Sequence, residues 1–510
     1  MFLSRVFLFT LIWIQTGAYN ILCLLPYPGK SHYMVFEPLL QELESRGHNL
    51  TVVSFFPKQN QSNRRDVDLR SLASLNIEIV DLRDFDYSVF GLEKYFEHIP
   101  LITGLAKSNL HLCKRILDSE MFEEFIAAKG DYDVILVEHF NSDCMLGIIH
   151  NYGLPSVGLM STSMLPWTPR RVGASDNPAH IPEMMMPFTS EMSFFERIQN
   201  TICHYFYIWW YEIAIRWEEQ RILEKKLGKR LPKLENIAKN TSVVLINTYH
   251  VWNGVRSVPP SLLEVGGLHL HNKILQPLHP DLEKWVSEAK DGFIILSFGS
   301  LIRGSTLPEK RLRTILKVFA RLPQRVVWKW EGNFIDVPDN VLILKWLPQY
   351  DLLRHKNCVA FITHAGLLSL TEAVSAGVPM LAVPILGDQY GNAAHAQRVG
   401  IACVLRLQNL DEVTLEDSLK KVLTSEMRER AKLVSKQWQD RPISPMENAI
   451  YHIERTVRYK GQDMSTHARW LSTWELELLD VLVFIVGTLV IAFLVVRNAF
   501  NSFHRKEKQC

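Results

Sequence analysis

The residues with the clearest chemical potential lie in one stretch, 361–389, which reads FITHAGLLSLTEAVSAGVPMLAVPILGDQ. Thr363 ends a predicted strand, and Gly366 opens a predicted helix. A helix N-terminus presents free N–H groups and a partial positive charge, which suits a diphosphate. His364 adds a hydrogen-bond donor at that point. Glu372 follows about two helical turns later, where its carboxylate can accept hydrogen bonds from ribose hydroxyls.

Asp388 and Gln389 follow the next predicted strand, and a carboxylate beside an amide suits the hydroxyls of a sugar. With these two residues, the whole stretch resembles the signature of the UDP-glycosyltransferase family. The resemblance implies that the signature binds a UDP-sugar, the donor substrate, and that no separate cofactor is needed. The signature positions implied to contact the donor are His364, Gly366, Ser369, Glu372, Asp388 and Gln389.

The resemblance extends over nearly the whole chain. It implies that Ser300, in the loop after a predicted strand, contacts phosphate, and that Trp346 and Gln349 hold the uracil and the ribose. Asn392 matches a position that supports the phosphates, and Arg256 matches an arginine that reaches the diphosphate in animal members. One departure is Leu368, which stands where vertebrate members often carry Asn.

A histidine and two carboxylates are candidates for the chemical step. Transfer to a hydroxyl needs a base, and a His oriented by a carboxylate suits that task. His32 follows the first predicted strand and matches the catalytic His of the family. Its partner stays open between Glu138, at the strict family position, and Asp143, five residues further on. A single displacement opposite the UDP group implies inversion at the anomeric carbon.

Two series of short apolar runs alternating with helical patterns predict an α/β fold with two parallel sheets. The first series begins at residues 20–25 and the second at 292–300. The family resemblance implies the GT-B arrangement: two doubly wound parallel-sheet domains that face each other across a cleft. It also implies that a helix near 448–458 packs back on the first domain. An aromatic segment, 205–210, could line an acceptor site, contact a membrane or fill a core.

The two ends differ from the middle. Residues 1–18 have a basic residue, a short apolar run and small residues, as in a secretory signal. Residues 478–496 are apolar apart from one Asp, long enough to span a bilayer, and basic residues follow. Basic flanks stay cytosolic, so we predict a single-pass type I protein with a luminal body. The last residues, KEKQC, resemble an endoplasmic reticulum retention signal, and Asn49, Asn60 and Asn240 begin glycosylation triplets.

These features divide the 510 residues into five parts: 1–18, signal peptide; 19–270, acceptor-binding domain; 271–474, UDP-sugar-binding domain; 475–497, transmembrane helix; 498–510, cytosolic tail. The net charge of +2 gives no electrostatic case for nucleic-acid binding. The chain contains no G-x-G fingerprint, and no Cys or His pair has zinc-site spacing. Seven cysteines make no disulfide framework, and Asp66-Val67-Asp68 reads as a surface loop.

The resemblance is nearest to the membrane-bound, UDP-glucuronosyltransferase-like animal branch, and within it to invertebrate members. It implies inverting transfer of a sugar to a small lipophilic, hydroxyl-bearing acceptor. Glucose is the favoured sugar and glucuronic acid the alternative. Two other functions are considered: a binding protein without catalysis and a UDP-sugar epimerase. A homo-oligomer is compatible with the sequence.

Overall fold

The first strand shows why the predicted sheets form. A computed structural model describes residues 17–58, 63–86, 96, 98–333, 336–462 and 464–507. In strand β1, Asn20–Leu25, Leu22 and Leu24 face one apolar core, whereas Ile21, Cys23 and Leu25 face another. Both faces of the sheet are therefore covered, which explains why the strand is a continuous apolar run rather than an alternating one.

Two parallel sheets organise the chain. The first has seven strands in the order β3-β2-β1-β5-β6-β7-β8, and the second has six in the order β12-β11-β9-β13-β14-β15. The strands are β1 Asn20–Leu25, β2 Asn49–Ser54, β3 Arg64–Asp68, β4 Val80–Asp81, β5 Val134–Glu138, β6 Ser156–Met160, β7 Val243–Ile246, β8 Leu262–Glu264, β9 Phe293–Ser297, β10 Ile302–Arg303, β11 Arg325–Lys329, β12 Val341–Leu344, β13 Cys358–Thr363, β14 Met380–Ala382 and β15 Ala402–Val404.

Helices cover both sheets, except the last one, which lies apart from them. They are α1 Lys30–Ser45, α2 Ile99–Leu117, α3 Glu120–Ala127, α4 Leu146–Tyr152, α5 Thr168–Val172, α6 Phe194–Tyr211, α7 Trp217–Leu227, α8 Leu234–Lys239, α9 His250–Asn253, α10 Pro280–Ser287, α11 Glu309–Phe319, α12 Gln349–Leu353, α13 Leu367–Ala376, α14 Gln389–Arg398, α15 Glu412–Val422, α16 Ser425–Gln439, α17 Pro445–Arg458, α18 Thr473–Leu476 and α19 Leu479–Glu507. A π-helical segment, Glu212–Arg216, joins α6 to α7. The predicted α/β class with two parallel sheets is confirmed.

The two halves contact each other at several points. Strands β4 and β10, one from each half, pair in parallel, and the Glu78 amide donates to the Ser300 carbonyl. Helix α17 returns to the first half, where Met446, Ile450 and Ile453 enter the core beneath the first sheet. This packing confirms the prediction for the helix near 448–458, although it lies within the range 271–474 assigned to the second domain.

Leu368 packs against the core of the first half. The apolar side chain at this departure from the vertebrate pattern therefore serves packing between the halves.

Two sequence expectations differ from the structure. Residues 66–68, read as a surface loop, belong to strand β3, where Arg64 ties Asp66 and Val67 is buried. The cysteine count gave no indication of a bridge, but Cys113 on α2 and Cys144 after β5 form a disulfide. Pairing depends on tertiary proximity across 31 residues, which a count of cysteines does not reveal.

Helix α19 is long and apolar enough to cross a membrane. Its candidate span runs from Leu479 to Ser502 and has a mean hydropathy of 2.9, with none of it buried inside the protein. The helix fits the predicted transmembrane segment by its length and composition, and it starts four residues later than the sequence boundary at 475. The predicted signal apart from its last two residues, Asn60 and the final residues 508–510 lie outside the described residues.

Candidate active site

The carboxyl ends of the two parallel sheets face each other, and nearly all the predicted site residues lie there. His32 follows β1 in the first turn of α1, and Asp388 follows β14 at the start of α14. Burial raises the pKa of the Asp388 carboxyl, and the charge of His32 opposes that rise. Lys30, at the start of α1, lies with its ammonium 5.3 Å from the centre of the Trp346 ring in the second half, so strand ends of the two sheets meet across the cleft. This is where open α/β sheets bind ligands.

The side chains of Glu138 and Ser161, from two other strand ends, meet at His32. The His32 Nδ1 lies 2.9 Å from Glu138 Oε1 and 2.6 Å from Ser161 Oγ, and Ser161 Oγ donates to Glu138 Oε1 at 3.1 Å. The His32 side chain is 13% exposed and that of Glu138 4%. Tyr27 and Phe140 pack their rings against the imidazole at centroid distances of 4.4 and 4.2 Å. A carboxylate that accepts from Nδ1 leaves Nε2 with the lone pair.

Asp143, the alternative carboxylate, is bound elsewhere. Arg171 donates to both of its oxygens at 2.8 and 2.6 Å, and Arg216 donates to Oδ2 at 2.9 Å. Burial by itself would raise the pKa of Asp143, but the two guanidinium groups hold it at about 2. Asp143 is thus a buried anchor of the loop after β5, next to the Cys113–Cys144 disulfide. The structure brings Glu138, rather than Asp143, to His32.

His364 lies in a tight turn between β13 and α13. Ala365 has a φ of 63° there, a left-handed conformation that few residues other than Gly adopt. A Cβ on Gly299 would lie 2.7 Å from the His364 ring, and one on Gly366 would lie 2.3 Å from it. Only glycines at both positions let the imidazole fit between the two loops at the N-terminus of α13.

The surroundings of His364 keep its imidazole neutral. Burial, and then the positive charge of Lys329, lower the pKa of His364 to about 4. Its Nδ1 is buried and has no hydrogen-bond partner among the residues that the structure describes. Lys329 is itself buried and donates to the Gly299 carbonyl at 2.9 Å. Lys329 is also paired with the Glu331 carboxylate at 2.5 Å, so the groups left to donate to phosphate oxygens are the helix N-terminus and the imidazole.

A second group of predicted donor residues forms a polar cluster beside this turn. Gln349 Nε2 donates to Glu372 Oε2 at 2.6 Å and to Ser369 Oγ at 3.2 Å. Lys273 Nζ donates to the other oxygen of Glu372 at 2.9 Å. The Trp346 indole, predicted to stack on uracil, is 60% exposed, and the ammonium groups of Lys30 and Lys329 lie 5.3 and 5.7 Å from its ring centre.

The start of α14 holds three further predicted residues. Asn392 Nδ2 donates to Asp388 Oδ2 at 2.9 Å and to the Ala365 carbonyl at 3.2 Å, which ties this loop to the His364 turn. Gln389 Oε1 accepts from the backbone amides of Ile385 and Leu386 at 2.9 and 3.1 Å. The Gln389 carbonyl therefore shapes the loop and leaves its NH₂ group as the donor for a ligand.

Ser300 and Arg256 occupy different places. Ser300 lies in the loop after β9, next to Gly299 and hence beside the His364 turn. Arg256 lines a cavity of about 260 Å³ together with Asn392, Glu183 and Glu264. Burial lowers the pKa of Arg256, and the charges of Glu183 and Glu264 oppose that effect.

Comparison with known proteins identifies the family. The family model described as "UDP-glucoronosyl and UDP-glucosyl transferase" matches residues 22–509. The chain belongs to this family. It is 31% identical over 485 residues to UDP-glucosyltransferase 2 of the insect Dactylopius coccus, covering 94% of this chain and 92% of the relative. It is 28% identical over 503 residues to the UDP-glucuronosyltransferase 2B7 of Homo sapiens, covering 94% and 93%.

A solved structure agrees on the fold. CalG4, the calicheamicin glycosyltransferase, superposes with a TM-score of 0.55 at 16% identity, covering 87% of this chain and 99% of that one. The GT-B arrangement and the prediction of a UDP-glycosyltransferase from an animal, invertebrate-like branch are confirmed. Among the described residues, no three His, Cys, Asp or Glu side chains gather as metal ligands would. The absence of a cofactor stays a prediction.

Three residues of the site were missed in the sequence. Ser161 follows β6, Lys329 ends β11, and Lys273 lies in the segment between the sheets. None of the three belongs to the signature, and no local sequence pattern identifies them as site residues. The signal available for Ser161 and Lys329 is their position at the carboxyl end of a predicted parallel strand.

Proposed function

We propose that this UDP-glycosyltransferase transfers its sugar with inversion, and that His32 is the general base. The observation that carries the proposal is the 2.9 Å contact between His32 Nδ1 and Glu138 Oε1 at the edge that faces Asp388. Glu138 holds the imidazole with Nε2 directed away from the carboxylate, and it stabilises the imidazolium that forms on proton transfer.

The step moves one proton and exchanges one bond. Nε2 of His32 takes the proton of the acceptor hydroxyl while the oxygen of that hydroxyl forms a bond to the anomeric carbon. The bond from that carbon to the diphosphate oxygen breaks on the opposite face, and UDP leaves with the electron pair. The N-terminus of α13 and His364 stabilise the negative charge on the leaving diphosphate, with Ser300 and Arg256 as further contacts. We expect transfer to continue in the presence of EDTA.

The histidine variant tests this mechanism. We expect His32→Ala to abolish transfer and to leave UDP binding within twofold, because the donor groups lie on the second sheet. His180→Ala provides the matched control, since His180 is exposed in the same half of the chain. Turnover numbers and isothermal titration with UDP give the two readouts. Transfer by His32→Ala at the unaltered rate would remove His32 from the mechanism.

Glucose is the sugar that we propose for the donor. The insect relative is named a UDP-glucosyltransferase, and the surroundings of Arg256 add a physical argument. Glu183 and Glu264 line the same cavity, so a glucuronate carboxylate there would meet two acids as well as one cation. A screen of UDP-glucose, UDP-glucuronate and UDP-galactose against a panel of phenols should show the highest kcat/KM with UDP-glucose. Use of UDP-glucuronate alone would reverse the assignment.

The acceptor is proposed to be a small lipophilic molecule with a hydroxyl group. Tyr27 and Phe140 pack on the His32 ring, so a hydroxyl that reaches the base lies beside aromatic walls. Such walls favour phenols and similar acceptors over polar sugars. In the same screen, kcat/KM should rise with the apolar surface of the phenol. A preference for free sugars as acceptors would contradict this proposal.

We propose that the body lies in the lumen of the endoplasmic reticulum and that the basic tail lies in the cytosol. The span Leu479–Ser502 supports membrane attachment, and Asn240 is exposed at the end of α8. In microsomes, the body should resist added protease until detergent is present, and endoglycosidase H should shift the chain by a smaller amount when Asn240→Gln is introduced. Digestion of the body in intact microsomes would contradict the topology.

A further inference from the structure

An apolar stripe runs along the outside of helices α6 and α7. We call it the outer stripe and define it by six exposed side chains, each 41–79% accessible: Phe195, Ile198, Ile202, Trp209, Ile213 and Trp217. Spacings of three, four and seven residues place these side chains on one face of a helix. The π-helical segment Glu212–Arg216 winds more widely than an α-helix, so residues four apart stay aligned through it.

The helix is apolar on its other face as well. Cys203, Tyr207 and Tyr211 are buried in the core of the first half, so the helix is already fixed to the protein through that side. The outer stripe is therefore additional apolar surface. From Phe195 to Trp217 it extends about 33 Å at ~1.5 Å per residue. A contiguous exposed apolar surface of this size is uncommon on a soluble monomer and marks contact with a partner or a membrane.

Contacts place this helix beside the start of the membrane span. Arg170 Nη1 donates to Thr473 Oγ1 at 2.5 Å and Arg170 Nε to Asp176 at 3.1 Å. Asp176 in turn lies 3.6 Å from His204 on α6. Burial and then the negative charge of Glu477 raise the pKa of Tyr205, the next residue on α6. Glu477 is two residues from Leu479, where the span begins.

We propose that the outer stripe lies on the lipid bilayer that holds the span of the same chain. Helices α6 and α7 then rest in the plane of the membrane surface with their outer face in the boundary between headgroups and acyl chains. Trp209 and Trp217 suit that boundary, since indole rings are enriched there, and Trp470 and Trp474 of the segment before the span are exposed as well. The body is thereby held by two attachments, the span and the outer stripe.

Photocrosslinking in membranes tests the proposal with the full chain. Benzoylphenylalanine replaces Phe195 or Ile213 on the outer stripe, and it replaces Val413 in a control. Val413 is 69% exposed on α15, which packs against α11, α16 and the second sheet. Each variant is reconstituted in phosphatidylcholine vesicles whose acyl chains carry an alkyne, and transfer to a water-soluble phenol confirms that each is folded.

Illumination should attach tagged lipid to the Phe195 and Ile213 variants at least fivefold more than to the Val413 variant. Equal labelling of all three would overturn the proposal. A covalent dimer formed from the Phe195 or Ile213 variants, without lipid labelling, would also overturn it, because the outer stripe would then face a second copy of the chain. Two positions at opposite ends of the outer stripe keep the test decisive if one variant fails to fold.

Discussion

His32 and His364 stand at equivalent places in the two halves of the molecule and are given opposite chemistry by their neighbours. Each follows a parallel strand and lies at the N-terminal end of a helix. His32 faces a carboxylate, which orients its ring as a base toward the cleft. His364 is buried between two glycines with an ammonium nearby, which keeps its ring neutral as a hydrogen-bond donor. The partner of a histidine therefore assigns its role, and residue type alone does not.

The largest expected effect comes from removing the partner of His32. Glu138→Gln keeps the size of the side chain but loses the charge that orients the imidazole and stabilises the imidazolium formed on proton transfer. We expect kcat to fall about 10²–10⁴-fold with UDP affinity unchanged, measured by initial rates and titration with UDP. Glu138→Asp, which restores a carboxylate, should recover part of the loss.

Asp143→Asn gives the contrasting result that separates the two carboxylates. Because Arg171 and Arg216 lose a buried partner, the variant should lose about 3–5 kcal/mol of stability. Its folded fraction should retain transfer. A folded Asp143→Asn protein that is inactive, beside an active Glu138→Gln protein, would reassign the carboxylate.

The second effect concerns the role of His364 at the leaving group. His364→Ala removes a donor from the diphosphate site and should lower kcat about 10²–10³-fold. His364→Asn keeps an N–H group and should retain most of the activity, whereas His32→Asn should not. Steady-state rates with UDP-glucose measure both pairs, and His279→Ala, exposed in the same half, is the control. Equal losses in His364→Asn and His32→Asn would erase the distinction between the two histidines.

The third effect appears in the pH dependence of stability. The pKa of His364 is about 4 in the folded chain, against 6.5 ordinarily. The folded state therefore binds fewer protons between these values, so its stability is fully present above pH 6.5 and is lost as pH falls through 4. His364→Asn should reduce that loss by about 3 kcal/mol, measured by urea unfolding of the solubilised chain at pH 4.5 and 7. An unchanged loss would show that the His364 ring takes up protons freely in the folded state.

The same comparison explains which site residues could be predicted from the sequence and which could not. His364, Asp388 and Gln389 lie within one continuous stretch. The predicted order of strand, helix and strand in that stretch was therefore enough to place all three residues at the ends of these elements. The surroundings of His32 come from three separate segments, and Glu138 ends β5 whereas Asp143 follows it closely. The residues that capture Asp143 are Arg171 and Arg216, 28 and 73 positions away. Side-chain direction after a strand is a tertiary property, so the sequence left the two carboxylates open.

The fold was predictable for a similar reason. Strands buried on both faces are recognisable in the sequence as apolar runs, as in residues 20–25 and 293–297. Strand β3, Arg64–Asp68, escaped because its polar residues are satisfied by ion pairs that involve Glu44. Charge that is paired inside the fold looks the same in a sequence as charge in a surface loop.

The smallest effect should come from Ser161, which touches both members of the His32–Glu138 pair. Ser161→Ala removes the hydroxyl that donates to Glu138 and contacts His32 Nδ1, a loss of about 1 kcal/mol, while the contact between Glu138 and His32 remains. We expect kcat to fall about fivefold with no change in KM for UDP-glucose, and Ser156→Ala, on the same strand, should have no effect. A loss as large as that of Glu138→Gln would mean that Ser161 itself carries the proton. Two groups of the first half, His32 and Ser161, would then share the transfer of the proton, whereas His364 in the second half acts only as a hydrogen-bond donor.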